Sequence, residues 1–173
     1  MKITSLNILN SFICEKDRFN DDRGFFEELF SQKYFANFKC LQINCSKSKN
    51  NVLRGLHVVP FAKLVTCVKG RIFDVVADVR EDSESYLQWY GLELTEDNNL
   101  SLYIPPHCAH GFLALENDSM IVYAQDGLYD PKIEFSINYN DPNLNIKWPG
   151  SDFILSTKDR DALNLTKFPF VVK

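Results

Sequence analysis

The chain has 173 residues, 45% of them hydrophobic and 24% charged, enough apolar material for one core of ordinary size. A formal charge of −4 leaves no basic stripe to neutralise a run of phosphates, so a nucleic-acid partner is not expected. No apolar stretch approaches a membrane span and the start, MKITSLNILNSF, lacks the apolar run of a signal peptide, so the expected location is the cytoplasm, with no membrane partner.

No internal repeat, low-complexity tract or Pro/Gly/Ser-rich linker divides the chain, and one domain is expected over residues 1–173. Phe19 to Phe30 (FNDDRGFFEELF) opens with a polar turn that runs into a short strand, and Gln32 to Asn37 reads as one or two helical turns. From there the pattern is β. Lys63 to Arg80 reads as two strands broken at Lys69-Gly70, a hairpin signal. Trp89 to Pro106 is a second pair turning at Glu96 to Asn99, and Gly111 to Gln125 a third turning at Glu116 to Ser119. A short helix is expected within Asp152 to Leu163. Many strands joined by short polar turns predict an all-β sandwich or barrel, with a jelly roll the best fit. Fourteen Phe and 7 Tyr suit such a core and provide stacking platforms for a ring-shaped ligand. The five cysteines, Cys14, Cys40, Cys45, Cys67 and Cys108, form an odd set with no CxxC pair, which reads as reduced, mostly buried thiols.

Three histidines can carry acid–base chemistry near neutral pH. His57 closes VLRGLH (Val52 to His57), and His107 and His110 follow a double proline in IPPHCAHGF (Ile104 to Phe112). A metal site is not expected: His57 is followed by Val58 and Val59, which cannot ligate, and no matching Glu stands near the other two. Asp74 and Asp78 share one face of their strand with Val76. That face is either solvated or inward with the carboxylates paired, Lys63 being the candidate partner of Asp74. Arg23, beside a glycine turn and two phenylalanines, has the surroundings to hold a phosphate while an aromatic ring packs on a sugar or base.

Taken in order, FNDDRGFFEELF, LQINCSKSKNNVLRGLH, KLVTCVKGRIFDVVADVR, LYIPPHCAHGFLAL, IVYAQDGLYDP, NDPNLNIKWP and ILSTKD resemble the dTDP-4-dehydrorhamnose 3,5-epimerase family, from Phe19 to Asp159. The resemblance implies a cupin-type jelly-roll homodimer using no metal and no dissociable cofactor. It epimerises a nucleotide-linked 4-keto sugar at C3, C5 or both, through an enolate, for cell-surface polysaccharide synthesis. It implies that His57 is the general base, steered by Asp159, that Tyr123 is the acid on the opposite face, and that Lys63 and His110 stabilise the enolate. It carries nucleotide and phosphate contacts over to Phe19, Arg23, Phe26, Glu28, Gln42, Asn44 and Arg54, and places Tyr129 beside the substrate.

The chain departs from the family's pattern in three places. Only VVPFA (Val58 to Ala62) separates His57 from Lys63, shorter than is usual and similar to relatives acting on GDP-linked 4-keto-heptoses. Ala124 stands where relatives often have lysine, and Leu128 replaces one of two adjacent tyrosines. The nucleotide therefore stays open between dTDP, GDP and CDP. Two alternatives remain: a 3,4-ketoisomerase, against which the lone His57 of HVV argues, and a non-catalytic sugar-nucleotide-binding jelly roll. The second leaves the joint presence of His57, Tyr123 and Asp159 unexplained.

Overall fold

Thirteen strands account for most of the regular structure of residues 1–165, the part that the computed structural model describes; residues 166–173 of the expected domain lie outside the described residues. In chain order they are β1 (Lys2–Ser5), β2 (Phe12–Glu15), β3 (Arg18–Asp21), β4 (Gly24–Glu27), β5 (Gln42–Ser48), β6 (Leu53–Val58), β7 (Lys63–Lys69), β8 (Arg71–Ala77), β9 (Trp89–Thr95), β10 (Leu100–Ile104), β11 (Ala109–Ala114), β12 (Ser119–Gln125) and β13 (Phe135–Ser136). A 3₁₀ turn at Gln32–Tyr34 and one helical turn, α1 (Thr157–Arg160), complete the set. Helix α1 falls within the segment expected to form a short tail helix. It is capped by Ser156, whose side chain accepts the Asp159 N–H, the serine-to-acid spacing that opens many helices.

Two antiparallel sheets face each other, one in the order β1-β2-β10-β7-β12-β5 and the other β13-β6-β11-β8-β9, with β3–β4 as a separate hairpin. This is a jelly-roll sandwich, as the strand pattern predicts. The three expected hairpins, however, are not hairpins. β7 and β8, β9 and β10, and β11 and β12 each lie in different sheets, so the turns at Gly70, 96–99 and 115–118 cross between layers. Alternation dictates which side chains turn inward, but a tight turn joins edge-to-edge and layer-to-layer strands alike.

Between the sheets, Val65, Cys67, Ile72, Val76, Leu94, Leu102, Ile104, Phe112 and Ile121 form the main core. Its outer faces are closed by two further clusters. Phe35 and Phe38 pack with Leu64 and Ala124 over the six-stranded sheet. Ile137, Leu144 and Ile146 pack with Leu56, Val58 and Val75 behind the five-stranded one. The inward row of β12 runs Ile121, Tyr123, Gln125, and that of β7 runs Cys67, Val65, Lys63. Polarity thus rises along each strand towards one end, where the apolar filling stops and a cavity opens.

Asp74 and Asp78 are fully buried, which excludes the solvated-face reading. Asp74 is bonded to His110 rather than to Lys63. Asp78, one step beyond β8, is clasped by Arg80, Ser83 and Ser85. Burial opposes its ionisation, but these donors prevail and hold it down to about 2; it organises the loop before β9. The five cysteines are all free, with Cys14, Cys67 and Cys108 buried.

Candidate active site

Arg54 and His57 are three residues apart on β6, a spacing that an ideal strand sends to opposite faces. Both nevertheless line the same cavity. The reason is an irregularity in the pairing with β11, where His110 opposes His57 but Phe112 opposes Arg54, so three residues of β6 span two of β11. Gly55 and Gly111 make this bulge feasible. A Cβ on Gly55 would lie 2.6 Å from the Gly111 Cα and 2.8 Å from the His110 carbonyl oxygen, and Gly55 has φ +124°, backbone open mainly to glycine.

The cavity, about 540 Å³, is lined by His57, Lys63, His110, Tyr123 and Asp159 together with Gln42, Asn44, Arg54 and Tyr129. Nine of the thirteen residues singled out from the sequence therefore meet in one place. The other four do not. Phe19, Arg23 and Phe26 sit on the β3–β4 hairpin and Glu28 just beyond it. Phe19 and Phe26 are 63% and 67% exposed, and Arg23 pairs with Asp21 at the hairpin tip. The hairpin base is anchored by Glu27, which is held between Lys16 and Arg18.

His57 Nε2 lies 2.7 Å from Asp159 Oδ1. The other oxygen of Asp159 accepts a 2.9 Å bond from Ser156 Oγ. Burial opposes ionisation of Asp159, yet the bonds from His57 and Ser156 keep it below its ordinary value. An ionised Asp159 requires the proton on Nε2, leaving Nδ1 as the basic nitrogen.

His110 Nε2 stands 2.7 Å from Asp74 Oδ1, deep in the sandwich. Burial pushes His110 towards its neutral form, against the pull of Asp74. The second oxygen of Asp74 is buried and finds no hydrogen-bond partner among the described residues. Lys63, 8% exposed, is pushed down to about 8 by burial, with the fields of Glu134 and Asp74 opposing that shift. Tyr123 is raised above its usual value, chiefly by burial, so its hydroxyl holds its proton at neutral pH. Among the described residues no group of three His, Cys, Asp or Glu side chains is placed to hold a metal ion, and no helix is long and apolar enough to cross a membrane.

His57 and His110 come from the five-stranded sheet, Lys63 and Tyr123 from the six-stranded one. A flat ligand between the sheets would meet the two imidazoles on one face and the Tyr123 hydroxyl and Lys63 ammonium on the other. The sequence reading passed over Glu134, Lys158, Phe61 and Gln125, which also line the cavity. Lys158 is ion-paired with Glu134, and its place beside Asp159 in STKD was an available clue; Glu134 carries no local signal.

The sequence profile described as dTDP-4-dehydrorhamnose 3,5-epimerase matches residues 5–167. A dTDP-4-dehydrorhamnose 3,5-epimerase of Shigella flexneri is 39% identical over 92% of this chain and 93% of its own. Among solved structures, a dTDP-6-deoxy-D-glucose-3,5-epimerase of Legionella pneumophila, in complex with dTDP-4-keto-L-rhamnose, superposes with TM-score 0.92. It is 37% identical over 96% of this chain and 93% of its own. A 4-keto-6-deoxy sugar epimerase from the novobiocin gene cluster of Streptomyces spheroides gives TM-score 0.93 at 34% identity, over 96% of this chain and 88% of its own.

Proposed function

The chain belongs to the dTDP-4-dehydrorhamnose 3,5-epimerase family and is an isomerase of nucleotide-linked 4-keto sugars; from that premise we propose that it acts on a dTDP-4-keto-6-deoxyhexose at C3 and C5. The observation that carries this reading is the placement of His57 and Tyr123 on opposite walls of one cavity. Inversion needs a proton removed from one face of the ring and another delivered to the opposite face.

His57 Nδ1 takes the proton next to the ketone, oriented by Asp159. The electrons move onto the ketone oxygen, where Lys63 supplies the positive charge. His110 has its Nε2–H committed to Asp74 and donates to that oxygen only when protonated on both nitrogens, a state that Asp74 favours and burial opposes. Tyr123 returns a proton to carbon from the far side. Arg54, Gln42, Asn44 and Tyr129 hold the nucleotide, and no metal or dissociable cofactor enters the scheme.

Phe19, Arg23, Phe26 and Glu28 reach the site in this reading from the partner of a homodimer. Their hairpin is exposed and lies off its own cavity. The five unbridged thiols fit a reducing compartment, and the reading places the protein in the cytoplasm, as one domain supplying a sugar for cell-surface polysaccharide.

Proton NMR in D2O with dTDP-, GDP- and CDP-linked 4-keto sugars tests the reading. Loss of the C3 and C5 signals with the dTDP sugar is expected. Loss at one carbon would restrict the enzyme to that carbon, loss only with GDP or CDP would reassign the nucleotide, and no exchange from folded protein would remove the proposal.

A further inference from the structure

Gln125 is 2% exposed and ends the inward row of β12, opposite Gln42 on one side and Lys63 on the other. It belongs to a closed circuit of amides. The Tyr129 N–H donates to Gln42 Oε1 at 3.1 Å, Gln42 Nε2 donates to Asn44 Oδ1 at 2.7 Å, and Asn44 Nδ2 donates to Gln125 Oε1 at 3.2 Å. Gln125 Nε2 closes the circuit on the Gly127 carbonyl at 2.9 Å. The Tyr129 N–H can only donate and the Gly127 carbonyl can only accept, so the three side-chain amides between them have a single consistent orientation. Both ends of the circuit are backbone atoms of the same turn. That turn is tied from its other side as well: Asp126 accepts the Ala62 N–H at 2.7 Å, and Phe61 packs so closely on Gly127 that a Cβ there would lie 2.4 Å from its ring.

We propose that Gln125 is a positioning residue for nucleotide binding, locking the turn that carries Tyr129 and fixing which way Gln42 and Asn44 point their amides. In that orientation Gln42 and Asn44 each keep one N–H outside the circuit, a donor for an anionic diphosphate oxygen. The inference rests on the reading that places the nucleotide at Gln42, Asn44 and Tyr129.

The test uses the full chain carrying Gln125→Leu, with the near-isosteric Gln125→Met as the second variant should leucine disturb the fold. Steady-state turnover of the dTDP-4-keto sugar and calorimetric binding of dTDP are measured. KM and the dTDP dissociation constant each rise about tenfold while kcat changes much less. In a Tyr129→Ala background the same substitution costs less, because the turn no longer has its ligand contact and only the orientation of Gln42 and Asn44 is left to lose. A folded variant with unchanged KM and dTDP affinity, or a penalty that persists in full without Tyr129, would overturn the proposal. Gln42→Ala and Tyr129→Ala separate the two levels. If neither weakens dTDP, the placement of the nucleotide is wrong; if both do and Gln125→Leu is silent, only the role of Gln125 is wrong.

Discussion

The 2.7 Å bond from His57 Nε2 to Asp159 Oδ1 joins residues 102 positions apart. Its geometry is assembled from three sides: the bulge at Gly55 turns His57 inward, Ser156 caps the single turn of α1, and that turn directs Asp159 back at the imidazole. Replacing Asp159 with asparagine keeps the shape and removes the reason for the proton to sit on Nε2. Asp159→Asn is expected to lower kcat by about 10²-fold or more, by analogy with the loss of an orienting carboxylate elsewhere. dTDP affinity, measured by calorimetry, should hardly move, and an equal loss of binding would show that Asp159 shapes the pocket rather than the base.

Tyr123→Phe separates the two halves of the reaction. In the proposed mechanism removal of the substrate proton by His57 does not need the phenol, so solvent deuterium should still enter the starting sugar. Inverted product should fall by about 10²-fold. Equal loss of exchange and inversion would assign Tyr123 to a different task.

Lys63 couples activity and stability in opposite directions. In the proposed mechanism its charged form serves the enolate, so kcat should fall as pH rises through about 8. Between that folded value and the ordinary 10.5, the unfolded chain binds the extra proton, so Lys63's contribution makes the fold more stable as pH rises through this window. Lys63→Met should therefore raise Tm at pH 7, by the equivalent of about 1–3 kcal/mol, while turnover is lost. A lower Tm for the variant would mean that Glu134 and Asp74 more than offset the cost of burying the ammonium.

Gly55→Ala tests the bulge. The added methyl would have to displace the Gly111 backbone or the His110 carbonyl from 2.6 and 2.8 Å, at a φ that alanine rarely adopts. A loss of at least about 2 kcal/mol in urea unfolding is expected. A near-neutral result would show that β6 and β11 separate easily at this point.

Much of the site was legible because its residues sit in short, chemically distinctive phrases. RGLH, AHGF and STKD name His57, His110 and Asp159 directly, and all three line the cavity. Asp74 drew notice as a carboxylate in a run of valines, but the choice of His110 over Lys63 as its partner follows from the register of β8 against β11, which one strand cannot reveal. Glu134 lay beyond reach for a related reason. It stands in an irregular stretch after β12 and enters the cavity only through the chain's path around the sandwich.

By itself, the sequence determined the all-β class, the positions of the strand-breaking turns and the identity of most groups able to move a proton or hold a charge. These depend on alternation, on glycine and on side-chain chemistry, which are local properties. Only the tertiary structure decided which strands share a sheet, so that three apparent hairpins became crossings between layers. The same long-range pairing put His57 and Tyr123 on opposite walls, closed the amide circuit through Gln125 and left the Phe19–Phe26 hairpin outside its own cavity. Partner choice between strands is a competition among many pairings of similar local merit, settled by the packing of the whole sandwich rather than by any one segment.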